Sequence, residues 1–298
     1  MAALEVTLPR GLVDADGARH RDAVLLPPDG WLEAALVEAV IDAGAAAGVP
    51  GARLRPAVRH GLLAGSVDRI GAHAAPDAAA VASLTRGDAD QLAYGLRRAV
   101  LGDRLALVLR CANPACREQA DVDLALDDLL ADDTGPEPEW FTVAVPGAEP
   151  VQLRAPTGAD DEALAAVAGP PESRTAALLA RLLPRTTAED WSARPAPERA
   201  AILLALAELP AGPVRHVQVP CPSCGALMEA TLDPLVVLAR ELRAGGDRLL
   251  LETHCLAYHY GWSEEEILGL PRGRRWGYLG LLRAQLTGAP LETVVGGG

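Results

Sequence analysis

Cys111-Ala-Asn-Pro-Ala-Cys116 and Cys221-Pro-Ser-Cys224 are two short cysteine turns, each standing between two strand-like runs. Leu105-Ala-Leu-Val-Leu-Arg110 precedes the first and Ala120-Asp-Val-Asp-Leu-Ala-Leu126 follows it; Val214-Arg-His-Val-Gln-Val219 and Leu227-Met-Glu-Ala-Thr-Leu232 flank the second. A cysteine pair at a hairpin tip presents both sulfurs on one side of the backbone, which is half of a tetrahedral zinc site. Two halves make a four-cysteine site of zinc-ribbon type, so Cys111, Cys116, Cys221 and Cys224 are the expected ligands of one structural Zn2+. Free thiols packed as small hydrophobes, or a disulfide pair in an exported protein, stay open as alternatives. A redox Cys-x-x-Cys is disfavoured, because Cys224 leads into a strand-like run and not into a helix N-terminus that would lower its pKa.

Working outward, the chain reads as the same order of elements twice. Residues 11 to 26 form a hairpin about Asp16-Gly17, a dipeptide that supplies the positive-φ positions of tight turns. Pro27-Pro-Asp-Gly30 then opens a helix from Trp31 to Ala47. In the second half Phe141–Val145, the Pro146-Gly147 turn and Val151–Leu153 form a hairpin, followed by Thr157-Gly158 and an acidic helix start at Asp160, Asp161 and Glu162. Leu25 to Leu36 and Leu153 to Leu164 share Leu, Pro, Gly, Ala and Leu at matching places, with Glu33 opposite Asp161.

Further helices lead to the cysteines in each half. Thr85-Arg-Gly-Asp88 reads as a capping box ahead of Leu92, Leu96, Ala99 and Val100 at helical spacing, and Pro197-Glu198 opens a helix through Leu209. The expected fold is therefore α+β. It comprises a first α/β repeat over 1–133, a second over 134–245 and a helical C-terminal segment over 246–298, with the acidic run 131–139 as linker. The C-terminal segment reads as a helix over Leu249–Tyr260, a short helix capped by Ser263 with Glu266, a break at Pro271, a last helix to Gln285 and a frayed tail over Val294–Gly298.

The formal charge of -13 over 298 residues argues against an extended basic face for nucleic acid or anionic lipid. All 27 basic residues are arginine, a usage that reads as coding bias of a GC-rich genome. No membrane-length apolar run and no charged-then-apolar leader stand in the sequence, so a cytoplasmic protein is expected, in which clustered cysteines favour metal. Without lysine there is no phosphate-binding Gly-x-x-x-x-Gly-Lys, and Gly65-Ser66 lacks the glycines of a nucleophile elbow, so no enzyme and no small-molecule substrate are expected. The Asp-rich runs at 121–133 and 160–162 read as solvated faces and helix starts.

Three residues of one helix, His254, Cys255 and His259, tempt a metal reading, but 254 and 259 diverge by roughly 140 degrees around the axis and packing is the expected role. Arg272, Arg274 and Arg275 beside Trp276, with Trp262 upstream, are the expected contact for an acidic protein partner, the alternative being pairing with Glu264, Glu265 and Glu266.

Leu84-Thr-Arg-Gly-Asp-Ala-Asp-Gln-Leu-Ala-Tyr-Gly-Leu-Arg-Arg98, followed by Gly102-Asp-Arg-Leu105 and the Cys-x4-Cys, resembles a family, as does His254-Cys-Leu-Ala-Tyr-His-Tyr-Gly-Trp-Ser-Glu-Glu-Glu-Ile-Leu-Gly-Leu-Pro-Arg-Gly-Arg-Arg-Trp-Gly-Tyr278. Together these segments look like the T4-type bacteriophage baseplate protein family, found among genes for phage tails and contractile injection systems. The resemblance implies a non-enzymatic component, or assembly factor, of a contractile-tail baseplate, with other baseplate, hub or tail proteins as partners, either cytoplasmic or incorporated in an assembled particle. The run from Trp262 to Pro271 is also similar to the ends of tail assembly chaperones, and a cytoplasmic metal-dependent enzyme using His254, His259 or the Asp clusters is the third alternative. A zinc-ribbon adaptor for nucleic acid is disfavoured by the charge.

Overall fold

Alternation at Leu4, Val6 and Leu8 starts the first strand seven residues before Gly11, because Val6 and Leu8 face the core. β1 (Leu4–Val13) pairs antiparallel with β2 (Arg19–Leu25) across the expected Asp-Gly turn, and β3 (Val67–Ile70) and β4 (His73–Ala74) extend them into one sheet of order β1-β2-β3-β4. A computed structural model describes residues 4–43, 54–130, 137–209, 212–214, 216–245 and 247–288. The expected linker lies largely outside these residues, as do the end of the first helix at Ala47 and the tail over Val294–Gly298.

α1 (Gly30–Asp42) starts where the Asp29 carboxylate accepts the Leu32 N–H at 2.9 Å. After α2 (Pro56–Ala64) and α3 (Ala78–Ser83) comes α4 (Arg86–Leu101), which packs against β1, β2, α2 and the later helix α9 (Pro234–Ala244). Its capping box forms as read: Thr85 Oγ1 accepts the Asp88 N–H at 3.1 Å while Asp88 Oδ2 accepts the Thr85 N–H at 3.2 Å. Asp88 is fully buried, and its other oxygen accepts the N–H groups of Arg10 at 2.8 Å and Gly11 at 3.1 Å. One carboxylate thus caps the helix and satisfies the bulged strand β1 beside it. Gly95 is where that strand crosses: a Cβ there would stand 2.7 Å from Val6 Cγ2 and 2.9 Å from Leu25 Cδ1.

β5 (Arg104–Arg110) and β6 (Gln119–Ala125) form the first cysteine hairpin, and β9 (His216–Pro220) with β10 (Leu227–Thr231) forms the second. Between them lie the hairpin β7 (Trp140–Val143) and β8 (Val151–Arg154) and the helices α5 (Gly158–Ala165), α6 (Pro171–Leu182), α7 (Ala188–Ala193) and α8 (Ala196–Glu208). The architecture is α+β with small antiparallel sheets; each half ends in a cysteine hairpin, but the first half inserts β3 and β4 among its helices and the second has no such pair among the described residues. Val143, Leu153, Leu179, Trp191 and Ile202 close a core within the second half. The region 134–245 is not self-contained, however. α9 (Pro234–Ala244) crosses back and places Leu235, Val236, Leu238, Ala239 and Leu242 in the large core of β1, β2, α1 and α4. Three ion pairs fix it there: Arg59 bridges Asp233 at 2.8 Å and Asp90 of α4 at 2.5 Å, and Arg97 of α4 meets Glu241 at 2.7 Å.

The acidic start of α5 departs from a solvated helix face, because Asp160 is fully buried. Its carboxylate accepts the Thr157 N–H at 2.9 Å, the Arg154 guanidinium at 2.7 and 2.8 Å and Arg181 Nε at 2.7 Å. Burial opposes its ionisation, yet Arg154, the Thr157 amide and Arg181 prevail and hold it well below the usual carboxylate range. A depressed folded pKa stabilises above the unfolded carboxyl value and loses that contribution as pH falls toward the folded one. We therefore expect Asp160→Asn to cost on the order of 3 kcal/mol at pH 7 by urea unfolding, with the gap to wild type closing once pH drops below about 4. An equal gap at pH 7 and pH 3 would contradict this.

The C-terminal helices form as read: α10 (Arg248–Tyr260), α11 (Glu264–Leu268), with Ser263 and Glu266 in a capping box, and α12 (Arg272–Thr287). They are tied back to the first half where Asp29 bridges Pro271 and the Arg272 N–H donates to the Pro28 carbonyl at 3.3 Å.

Candidate metal centre

Each cysteine turn is a hairpin end closed by its own backbone. The Cys111 N–H donates to the Glu118 carbonyl at 2.8 Å, and the Cys221 N–H to that of Ala226 at 2.8 Å. The two extra residues of the first turn are taken up locally: Asn113 Oδ1 accepts the Ala115 N–H at 3.0 Å, and the Asn113 carbonyl accepts those of Cys116 and Arg117 at 3.0 Å. The wider Cys-x4-Cys spacing therefore does not separate its sulfurs.

The two tips meet, and all four Sγ atoms lie within 4.8 Å of one another. Cys111 and Cys224 approach to 3.6 Å, and Cys116 and Cys221 to 3.8 Å. Four sulfurs at about 2.3 Å from a central zinc stand about 3.8 Å apart, so the cluster already has the size of a tetrahedral thiolate shell. Cys111 and Cys221 are buried with Leu109 and Met228, while Cys116 is half-buried and Cys224 exposed. Asn113 Nδ2 reaches across from the first turn to Cys224 Sγ at 3.7 Å.

Without a cation these sulfurs resist common ionisation. The Asn113 backbone N–H favours the Cys111 thiolate, but desolvation and the three neighbouring sulfurs push this thiol up to about 12. The Ala226 N–H and hydrogen bonds from the other thiols bring Cys224 down to about 7 against its own desolvation. One thiolate is accommodated at the expense of the rest, whereas a divalent cation satisfies four together. The residues present can hold a metal ion.

α4 anchors this centre to the body. Tyr94 packs with Leu105, Leu126, Val217 and Leu232 from both hairpins and donates its hydroxyl to the Val214 carbonyl at 2.9 Å.

The other candidates are placed differently. Arg275 is fully buried, bound to Glu33 at 2.8 Å and Glu252 at 3.0 Å, and Arg272 meets Glu33 at 2.8 Å. The arginine charge is thus spent inside the fold, on carboxylates other than Glu264, Glu265 and Glu266, and Arg275 is not available to a partner. Trp276 donates Nε1 to Glu252 at 2.6 Å beneath the guanidinium groups of Arg248 and Arg272. Arg274 is exposed; Trp262 stacks on Tyr260 and meets Tyr278 edge-on. His254 and His259 are exposed against Tyr258, and Cys255 takes no part in a ligand cluster among the described residues.

Two things were not read from the sequence. Glu33 and Glu252 as partners of Arg275 carry no local signal, because α1, α10 and α12 meet only in the folded chain. The same holds for a second group of ligand-type side chains, Asp14, His20 and His73.

Comparison with protein-family models, curated proteins and solved structures returned no match. Among the described residues no helix is long and apolar enough to cross a membrane.

Proposed function

We propose that this chain is a non-enzymatic structural or assembly component of the baseplate of a phage-like contractile tail or injection system, built from a duplicated module and stapled by one structural zinc. The four-sulfur cluster carries the zinc staple and the non-enzymatic part of this reading. Soft thiolates at tetrahedral spacing suit zinc over magnesium or calcium, and four protein ligands leave no open position for a substrate. The closed set therefore favours a clamp between two distant segments over a catalytic metal.

Duplication is supported by a hairpin preceding the helix starts at Asp29 and Thr157 and by a cysteine hairpin closing each half. The baseplate role is supported by the resemblance of two segments, which become the central helix α4 and the C-terminal helices α10 to α12. Partner binding is assigned to the exposed C-terminal surface around Trp262, Arg274 and Trp276, the face left after Arg272 and Arg275 are consumed internally.

Deleting the gene from its source strain tests the role: electron microscopy is expected to show no sheathed particles, and normal particles would overturn the assignment. Mass spectrometry of purified wild-type particles separates a resident component from an assembly chaperone, the alternative that the run from Trp262 to Pro271 supports. Trp262→Ala with Arg274→Ala is expected to lose co-purifying tail proteins at an unchanged melting temperature. Wild-type recovery of those proteins would move the contact elsewhere.

A further inference from the structure

One end of the four-stranded sheet brings together Asp14 from the β1–β2 turn, His20 from β2 and His73 from β4, each offering one ligand atom within 4.8 Å of the others. Each is held by something outside the group. Asp14 Oδ1 accepts the N–H groups of Asp16 at 3.0 Å and Ala18 at 2.9 Å, which leaves Oδ2 turned to His20 Nε2 at 3.1 Å. The His20 ring lies against the backbone at Gly71, where a Cβ would come within 2.4 Å of Nδ1 and 2.7 Å of Cγ. Only glycine lets the ring occupy that place. His73 meets His20 edge-on, with ring centroids 4.7 Å apart and planes at 82°.

The informative atom is His73 Nε2. It is shut off from solvent and has no hydrogen-bond partner among the described residues. A buried ring nitrogen without a partner is disfavoured, and in native proteins such atoms are met by water or an ion. A hydrogen-bonded Asp14–His20 pair alone gives no reason for His73 to offer a third ligand atom within 4.8 Å of theirs.

We infer that Asp14, His20 and His73 form a second metal site, which takes a borderline divalent ion such as Zn2+, Co2+ or Ni2+ through two imidazole nitrogens and one carboxylate oxygen. Imidazole suits these ions, and donors about 2.0–2.1 Å from a shared metal stand roughly 3 Å apart, as Asp14 and His20 do. Three protein ligands leave at least one position for water, so the ion here is exchangeable, unlike one sealed by four sulfurs. The inference rests on neither the zinc at the cysteines nor the baseplate role.

Titration of the metal-free, reduced full-length chain with Co2+ separates the two sites, because thiolate ligands give strong ligand-to-metal absorption and imidazole with carboxylate does not. The expected result is a second ion that adds no thiolate absorption, with His20→Ala or His73→Ala weakening that ion at least tenfold and leaving the thiolate band intact. Loss of the thiolate band in wild type with a histidine-dependent ion remaining would support this site while removing the zinc staple. A second ion that neither substitution affects, or no second ion at all, overturns the inference. Should an alanine variant fail to fold, the ring nitrogen resonances of His20 and His73 in the wild-type protein decide: they shift on adding Zn2+ if the site exists, and stay unmoved at saturation if it does not.

Discussion

Cys221→Ser is expected to release the metal from the cysteine cluster and lower the melting temperature by more than about 10 °C. Cys221 is buried at the tip of the second hairpin, within 3.8 Å of Cys116 across the joint. Serine offers a harder, shorter ligand and leaves three sulfurs, which bind zinc less tightly than four. The two cysteine hairpins are separate two-stranded sheets, and a single hairpin is marginal in water. Their joint consists of two apolar clusters, one around Cys111, Cys221 and Met228 and one around Tyr94, to which a bound zinc would add on the order of 10 kcal/mol.

The damage does not stop at the hairpin. β10 runs directly into α9, whose leucines complete the core against α1 and α4, so a freed second hairpin loosens the helix that joins the halves. Cys255→Ser on α10 is the control and should change neither metal content nor melting, because that thiol lies outside the cluster. Metal analysis with thermal unfolding of both variants checks the pair. Cys221→Ser protein that keeps its metal and its melting temperature would sink the staple.

What was legible in the sequence is what depends on near neighbours. The cysteine hairpins are visible because two sulfurs within one turn, flanked by alternating strands, define a local object; the capping boxes at Thr85 and Ser263 are visible for the same reason. The strand from Leu4 was missed because its bulge breaks the alternation between Thr7 and Leu12. The crossing of α9 could not be read, since its apolar face is equally suited to either half. The arginines near the C-terminus read as a partner contact or as pairing with Glu264, Glu265 and Glu266, but these glutamates are exposed, with Glu266 engaged in capping Ser263. The carboxylates that bind Arg272 and Arg275 come from helices distant in sequence, and no periodicity announces such a pairing. Asp14, His20 and His73 likewise come together through strand pairing alone.

Arg275→Met is expected to destabilise the protein by about 3 kcal/mol or more in urea unfolding. The guanidinium is fully buried, donating Nη2 to Glu33 at 2.8 Å, Nε to Glu252 at 3.0 Å and Nη1 to the Leu270 carbonyl at 2.7 Å. Removing it leaves two buried carboxylates short of a cation, and the penalty for each unpaired charge exceeds what the added methionine packing returns. Arg272 and Arg248 still neighbour Glu33 and Glu252, which keeps the cost toward the lower end of the usual range for a broken buried pair. The triple variant Glu33→Gln, Glu252→Gln, Arg275→Met separates charge from packing. It removes the stranded charges while leaving amide groups for Arg272 and the Trp276 indole, so most of the lost stability should return. By contrast Arg104→Ala, which breaks an exposed pair with Asp123, should cost under about 1 kcal/mol, because water screens both partners. If Arg275→Met cost no more than Arg104→Ala, or if the triple variant were no more stable than Arg275→Met, the buried network would not be what locks α12 onto α1 and α10.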